Sequence, residues 1–252
     1  MMRRRLLFGS SVSNNYWQGD PFEFVDLGLP SGTLWMKFDL GTPGGKNAMF
    51  TGYGQIGSAE IYPITITKNS DGAGIENIDH QFSWSTSVVN GNNSEMNEEV
   101  ITNWISEHTT NNILNLDVDT VYLNSNGIAR MPTKDEIQEL LDYTDLVFPS
   151  ERNYGLTDYP VSKNGSNGFF KFANKSDRSK FIFVNLGSCC TEYDTPSYSS
   201  MTFGFAAIPS SEFASSSSTH ALYGYNNNIF GDGGMVDEVE LNNGYRFRGV
   251  KV

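Results

Sequence analysis

Five short stretches in the second half of the chain do most to limit how it can fold. They are "GFFKFANK" (168–175), "KFIFVNLG" (180–187), "MTFGFAAI" (201–208), "ALYGYNN" (221–227) and "YRFRGVKV" (245–252). In each, apolar residues alternate with polar or small ones, the period of a strand. The gaps between them are filled with Gly, Asn, Ser and Pro, the residues of turns, and the Ser215–Ser218 run reads as a loop tip. Such a series predicts an antiparallel meander from Asn164 to the C-terminus.

The first half reads differently. Phe22, Phe24 and Val25 predict a strand, and Leu34 to Phe38 predict its return, with Pro30-Ser31-Gly32 as the turn. Ile61 to Thr67 is β-prone, and Pro63 points to an edge position. Two helices follow. The first is expected near 96–108, with Ser94 as N-cap and Val100, Ile101, Trp104 and Ile105 as its apolar face. The second is expected over 133–143. There Thr133-Lys134-Asp135-Glu136 has the spacing of a capping box, and Ile137, Leu140 and Leu141 form the buried face. Helix followed by many short strands gives an α+β class. Trp35, Trp84 and Trp104 are expected in the core.

With 252 residues the chain is long enough for one large domain. Residues 1–21 read as an extended arm, because Asn14-Asn15, Gly19 and Pro21 discourage regular structure, and residues 22–252 as the domain. The net charge of −12 argues against nucleic-acid binding. The arm is the local exception. Arg3, Arg4 and Arg5 can dock on an acidic partner, with Phe8 and Trp17 as apolar anchors, or form a solvated tail. Its apolar run, Leu6-Leu7-Phe8, is too short for a signal-peptide core, and no run long enough to span a membrane occurs elsewhere. The two cysteines, Cys189 and Cys190, are adjacent and give neither a disulfide framework nor zinc spacing.

Several blocks together resemble a known family. "FVDLGLPSGTLWMKFDLG" (24–41), "YGQIG" (53–57), "FSWST" (82–86), "GIARMPTKDEIQELL" (127–141) and "NGYRFRGVKV" (243–252) come in the order found in the Fibrobacter succinogenes major paralogous (FISUMP) domain family. The resemblance implies a C-type-lectin-like fold, of the kind shared with formylglycine-generating enzymes, in which the first and last strands pair. It makes Arg130 and Glu136 family landmarks; Arg130 is expected to form a structural ion pair or to bond backbone carbonyls rather than to bind a ligand. The chain departs from the family at "YGQIG", which lacks the usual Trp and acid, and at Ala129, where an aromatic often stands.

The resemblance frames the functional expectation. Family members are mostly exported, whereas this chain shows no signal; a binding fold made without one reaches the outside when lysis releases virus particles. The expectation is therefore a non-enzymatic bacteriophage virion protein, a head decoration, fibre or tail component. The arm joins other virion structural proteins in a homo- or hetero-oligomeric assembly, and the domain meets a host-surface glycan or protein. The alternative is a bacterial surface adhesin. No cofactor and no membrane insertion are expected.

Catalytic signs are weak. The cysteine pair does not supply two separated thiols, and no nucleophile elbow is visible. Asp117 and Asp119 either share a cation by strand alternation or form an exposed loop face. No metal site is expected. The expected ligand face is the stretch before the last strand: Tyr223, Tyr225, Asn226, Asn227, Asn228 and Asp232 on Gly-bounded loops, joined by Tyr193 and Tyr198. Tyr offers a ring to stack on and Asn both donors and acceptors. The alternative reading of that stretch is solvated hairpin loops.

Overall fold

The computed structural model describes residues 22–37, 39–40, 53–62, 64–68, 74–78, 84, 88–89, 98–147, 169–185, 189–190, 205–227 and 231–252. They form a mixed α+β arrangement in which every described strand pairing is antiparallel. The first six strands are β1 (Phe24–Asp26), β2 (Leu34–Met36), β3 (Tyr53–Gly54), β4 (Ile61–Tyr62), β5 (Ile64–Lys68) and β6 (Gly74–Ile78). Helix α1 (Glu98–His108) precedes β7 (Thr109–Thr110) and β8 (Ile113–Leu114), then come α2 (Thr120–Asn124), β9 (Ala129–Arg130) and α3 (Lys134–Tyr143). After α3 come β10 (Thr144–Val147), β11 (Phe169–Asn174), β12 (Phe181–Asn185), β13 (Cys189–Cys190), β14 (Phe205–Phe213), β15 (Ser218–Asn227), β16 (Gly231–Glu240), β17 (Gly244–Tyr245) and β18 (Val250–Lys251).

The opening hairpin forms as its residue types require. The amide of Gly32 donates to the Leu29 carbonyl at 2.9 Å, closing a four-residue turn over Pro30 and Ser31. The turn is then tied to α3, since the Ser31 amide and hydroxyl both donate to the Glu139 carboxylate. β2 carries the last strand on its other side. The sheet order is β1-β2-β18-β9, with Val25 opposite Trp35, Trp35 opposite Val250 and Val250 opposite Arg130. The first and last strands thus share one sheet, separated by β2.

Both expected helices are present. In α3 the Thr133 hydroxyl accepts from the Glu136 amide at 3.3 Å, and the Glu136 carboxylate accepts from the Thr133 amide at 2.8 Å. Ile137 and Leu140 are fully buried, each contributing about 1.5–3 kcal/mol. In α1 the half-buried positions are Val100, Ile101, Trp104, Ile105 and His108, one helical face, and none is fully buried. Ser94 lies outside the described residues.

The C-terminal half departs from a simple meander. β10-β11-β12 form one sheet, and β16-β15-β14 continue through β8 to β7 in another. Adjacent residues of the β14–β15 hairpin serve two cores, one on each face. Ala207, Phe213 and Ala221 join Trp84, Val121 and Phe247, while Ile208 and Leu222 join Trp35, Ile137, Leu140 and Phe172. Antiparallel pairs commonly leave one face to solvent, whereas this pair has both faces covered over those residues.

The segment expected as one strand over Tyr245–Val252 is also different. Only its ends are strand, in separate sheets, and Arg246, Phe247 and Arg248 between them are all buried. Arg248 Nη2 lies 2.6 Å from Asp39 Oδ1, and its Nη1 donates to the Met36 carbonyl at 2.7 Å. Arg246 Nη2 donates to the Tyr53 hydroxyl at 3.0 Å. Gly249 fits between elements that leave no room for more: a Cβ there would lie 2.6 Å from Val121 Cγ1 and 2.9 Å from Met36 Sδ.

Candidate functional site

The residues between α1 and α3 build a cleft. Its rim begins at the β7–β8 hairpin, whose two central residues, Asn111 and Asn112, have φ of 53° and 64°. Asn is the non-glycine residue that best tolerates this region, and two such residues in sequence are the signature of a tight twisted hairpin. Past β8 the chain turns through Leu116 to Asp119. Asp119 then caps α2: its Oδ1 accepts from the amides of Val121 and Tyr122, both at 2.8 Å. The same carboxylate accepts from the Met131 amide, just past β9, at 3.0 Å, so one buried side chain joins α2 to the end of β9.

Arg130 forms the opposite wall. Its guanidinium meets the Glu136 carboxylate in a fork, with Nη1–Oε2 and Nη2–Oε1 both at 2.8 Å, and Nη1 also donates to the Met131 carbonyl. Arg130 makes both of the structural bonds expected as alternatives, and the structure supplies the partners that the sequence did not name, Glu136 and the Met131 carbonyl. The cleft has a volume of about 470 Å³, within the usual range for small-ligand sites. Its lining mixes Asn111, Asn115, Arg130 and Thr133 with Ile113, Leu114 and Leu116.

The electrostatics follow from burial and partners. Burial pushes the Asp119 carboxyl above its ordinary value, against the pull of the three amides and Arg130. Burial pushes Glu136 in the same direction, but the Arg130 and Thr133 hydrogen bonds outweigh it and hold Glu136 below the usual carboxylate range. Arg130 is raised, mainly by its hydrogen bond to Glu136.

A pH dependence follows from the lowered group. A carboxylate with a depressed folded-state pKa stabilises the fold above its unfolded value, here 4.5, and the contribution is lost as pH falls through the folded value. Glu136→Gln therefore costs about 2 kcal/mol at about pH 7, the worth of hydrogen bonds to a charged group. The gap to the native chain narrows as pH falls below 4.5 and closes once Glu136 is protonated in the folded chain. Urea denaturation at neutral pH and through the acid range measures it, and a gap that persists unchanged in acid rules out this account.

The sequence-predicted site residues fare unequally. Tyr223, Tyr225, Asn226 and Asn227 lie inside β15, and Asp232 inside β16, rather than on loops. Tyr225 is opposite Gly233, and Asn226 opposite Asp232. Tyr223 is half-buried against the core that holds Ala221, so replacing it costs stability and does not only strip a surface. Asn228, Tyr193 and Tyr198 lie outside the described residues, as do Arg3, Arg4, Arg5, Phe8 and Trp17 of the arm.

Asp117 and Asp119 are on a turn and at a helix cap, not on alternating strand positions. Asp117 is exposed and the Asp119 carboxylate is engaged by backbone amides. Among the described residues no group of three His, Cys, Asp or Glu side chains converges. The sequence reading missed the cleft because it missed α2. The signal was present in Asp119 standing before "TVYLN", a cap ahead of a helical turn.

No family model matches this chain, and no curated protein or solved structure matches it either.

Proposed function

We propose that this α+β domain is of the C-type-lectin-like type and is displayed on a bacteriophage particle as a non-enzymatic attachment or structural protein. One observation carries the reading. β1 and β18 belong to one sheet, with Lys251 Nζ 5.9 Å from the centre of the Phe24 ring. A domain whose first and last strands lie in one sheet can be mounted at that sheet, which leaves surface elsewhere to meet a partner. The Arg130–Glu136 fork and the Thr133 capping box add support, because both fall in the "RMPTKDE" block that carries the family resemblance.

In this reading the arm of residues 1–21 holds the domain to neighbouring virion proteins. Mass spectrometry of purified particles tests it. The chain is expected in constant proportion to the capsid and tail proteins, and a chain lacking residues 1–21 is expected to fold but to be missing from particles. Detection only in the cell envelope would transfer the domain to a bacterial surface adhesin instead.

A further inference from the structure

We infer that the 470 Å³ cleft between the β7–β8 turn and the start of α3 binds a neutral N-acylated amino sugar. The inference deepens the display reading and rests on it for where such a sugar is met; the chemistry rests on the cleft alone. The polar groups left to a ligand are mainly N–H donors. Thr110 Oγ1 donates to Asn115 Oδ1 at 2.9 Å, which fixes the amide and leaves its Nδ2 unused among the described residues. Arg130 spends three of its five N–H bonds on Glu136 and the Met131 carbonyl, leaving Nε–H and one Nη2–H on a side chain 30% exposed. The Asn111 side chain adds an amide at the exposed rim.

These donors ask for an acceptor, and the charge decides which kind. The Glu136 carboxylate already offsets the Arg130 charge through the fork, and the Asp119 carboxylate lines the cleft beside it, so the site disfavours carboxylate, phosphate or sulfate ligands. An ammonium is no better, because both carboxylates already accept from backbone amides or Arg130. A neutral carbonyl remains. Beside the donors, Ile113 and Leu116 are 37% and 41% exposed, more apolar surface than a pure hydroxyl ligand would cover. An acetamido group supplies both halves at once, a carbonyl oxygen for Arg130 and Asn115 and a methyl for Ile113 and Leu116. The sugar hydroxyls suit the Asn111 amide, which donates and accepts.

The test is a titration of the full-length isotope-labelled chain, followed by NMR, with the methyl glycoside of N-acetylglucosamine. Shift changes are expected at residues 110–116 and at Arg130. Glucose, glucosamine and N-acetylalaninamide are expected to bind at least about tenfold more weakly, the worth of one hydrogen bond to a charged donor. Asn115→Asp keeps the acceptor for Thr110 but removes the donor, and Leu116→Ala removes apolar surface; each is expected to weaken binding about tenfold with the remaining spectrum unchanged. No shifts in the cleft, equal binding of glucose, preference for the acetylated amino-acid amide, or unchanged binding by both variants overturns the inference. Absence of the chain from virus particles sinks the display reading and leaves this titration standing.

Discussion

Asp39→Ala lowers the stability of the domain by about 3–5 kcal/mol, the cost of leaving one member of a buried ion pair alone. Asp39 and Arg248 are both nearly inaccessible, at 4% and 2%, and their 2.6 Å contact joins the end of the opening hairpin to the last segment of the chain. Burial pushes the Arg248 guanidinium below its ordinary value, and Asp39 pulls it back. A guanidinium does not escape by losing its proton, so without Asp39 it stays charged and buried with no carboxylate to balance it at that nitrogen, although its bond to the Met36 carbonyl remains. The double change Asp39→Leu with Arg248→Met removes both charges. It is expected to recover most of the loss, because apolar replacements of a buried pair are often neutral or better. Urea denaturation of the native chain, the single variant and the double variant gives the three values. A single-variant loss below about 1 kcal/mol would mean that water reaches the pair.

That pair also shows where sequence reading stops. The alternation in "YRFRGVKV" is real, but period alone does not tell a solvated arginine from a buried one. Arg246 and Arg248 are buried because residues far away, Tyr53 and Asp39, supply their partners, and no local pattern records those partners. What was legible was local chemistry. The capping box of α3, the Gly32 turn and the face of α1 each need only residues a few positions apart. The same limit explains Tyr223. In "ALYGYNN" the alternation predicts a strand and the Gly and Asn predict loops, yet β15 runs straight through it, held by β14 on one side and β16 on the other. At the cleft, a structural role for Arg130 was legible, but its pairing with Glu136 was not. Nor was the use of Asp119 as a cap, since its spacing from Asp117 also fits a strand. The α+β class was legible throughout, because class depends on the order of elements and not on their pairing.

Trp84→Ala is expected to cost about 3–5 kcal/mol, as for other large buried side chains, and its effect should concentrate in α1. The indole is 1% exposed, and its Nε1 donates to the Ile56 carbonyl at 2.7 Å. Its ring meets Trp104 of α1 edge-on, with centroids 5.3 Å apart, and Phe213 of β14 at 6.1 Å. α1 has no fully buried residue of its own, so its seat on the domain depends on such partners. Removing the indole opens a cavity under Trp104 and strips the Ile56 carbonyl of its donor. The first loss falls on the contact of α1 with the core, and the second on the loop after β3. Trp84→Phe keeps much of the ring and loses mainly the hydrogen bond, so its cost should fall near about 1–3 kcal/mol. Hydrogen exchange separates local from global effects: α1 amides should lose protection in Trp84→Ala more than those of α3, whose Ile137 and Leu140 sit in the other core. Equal loss of protection in both helices would mean that the two cores unfold as one unit, and that α1 is held by more than its aromatic seat.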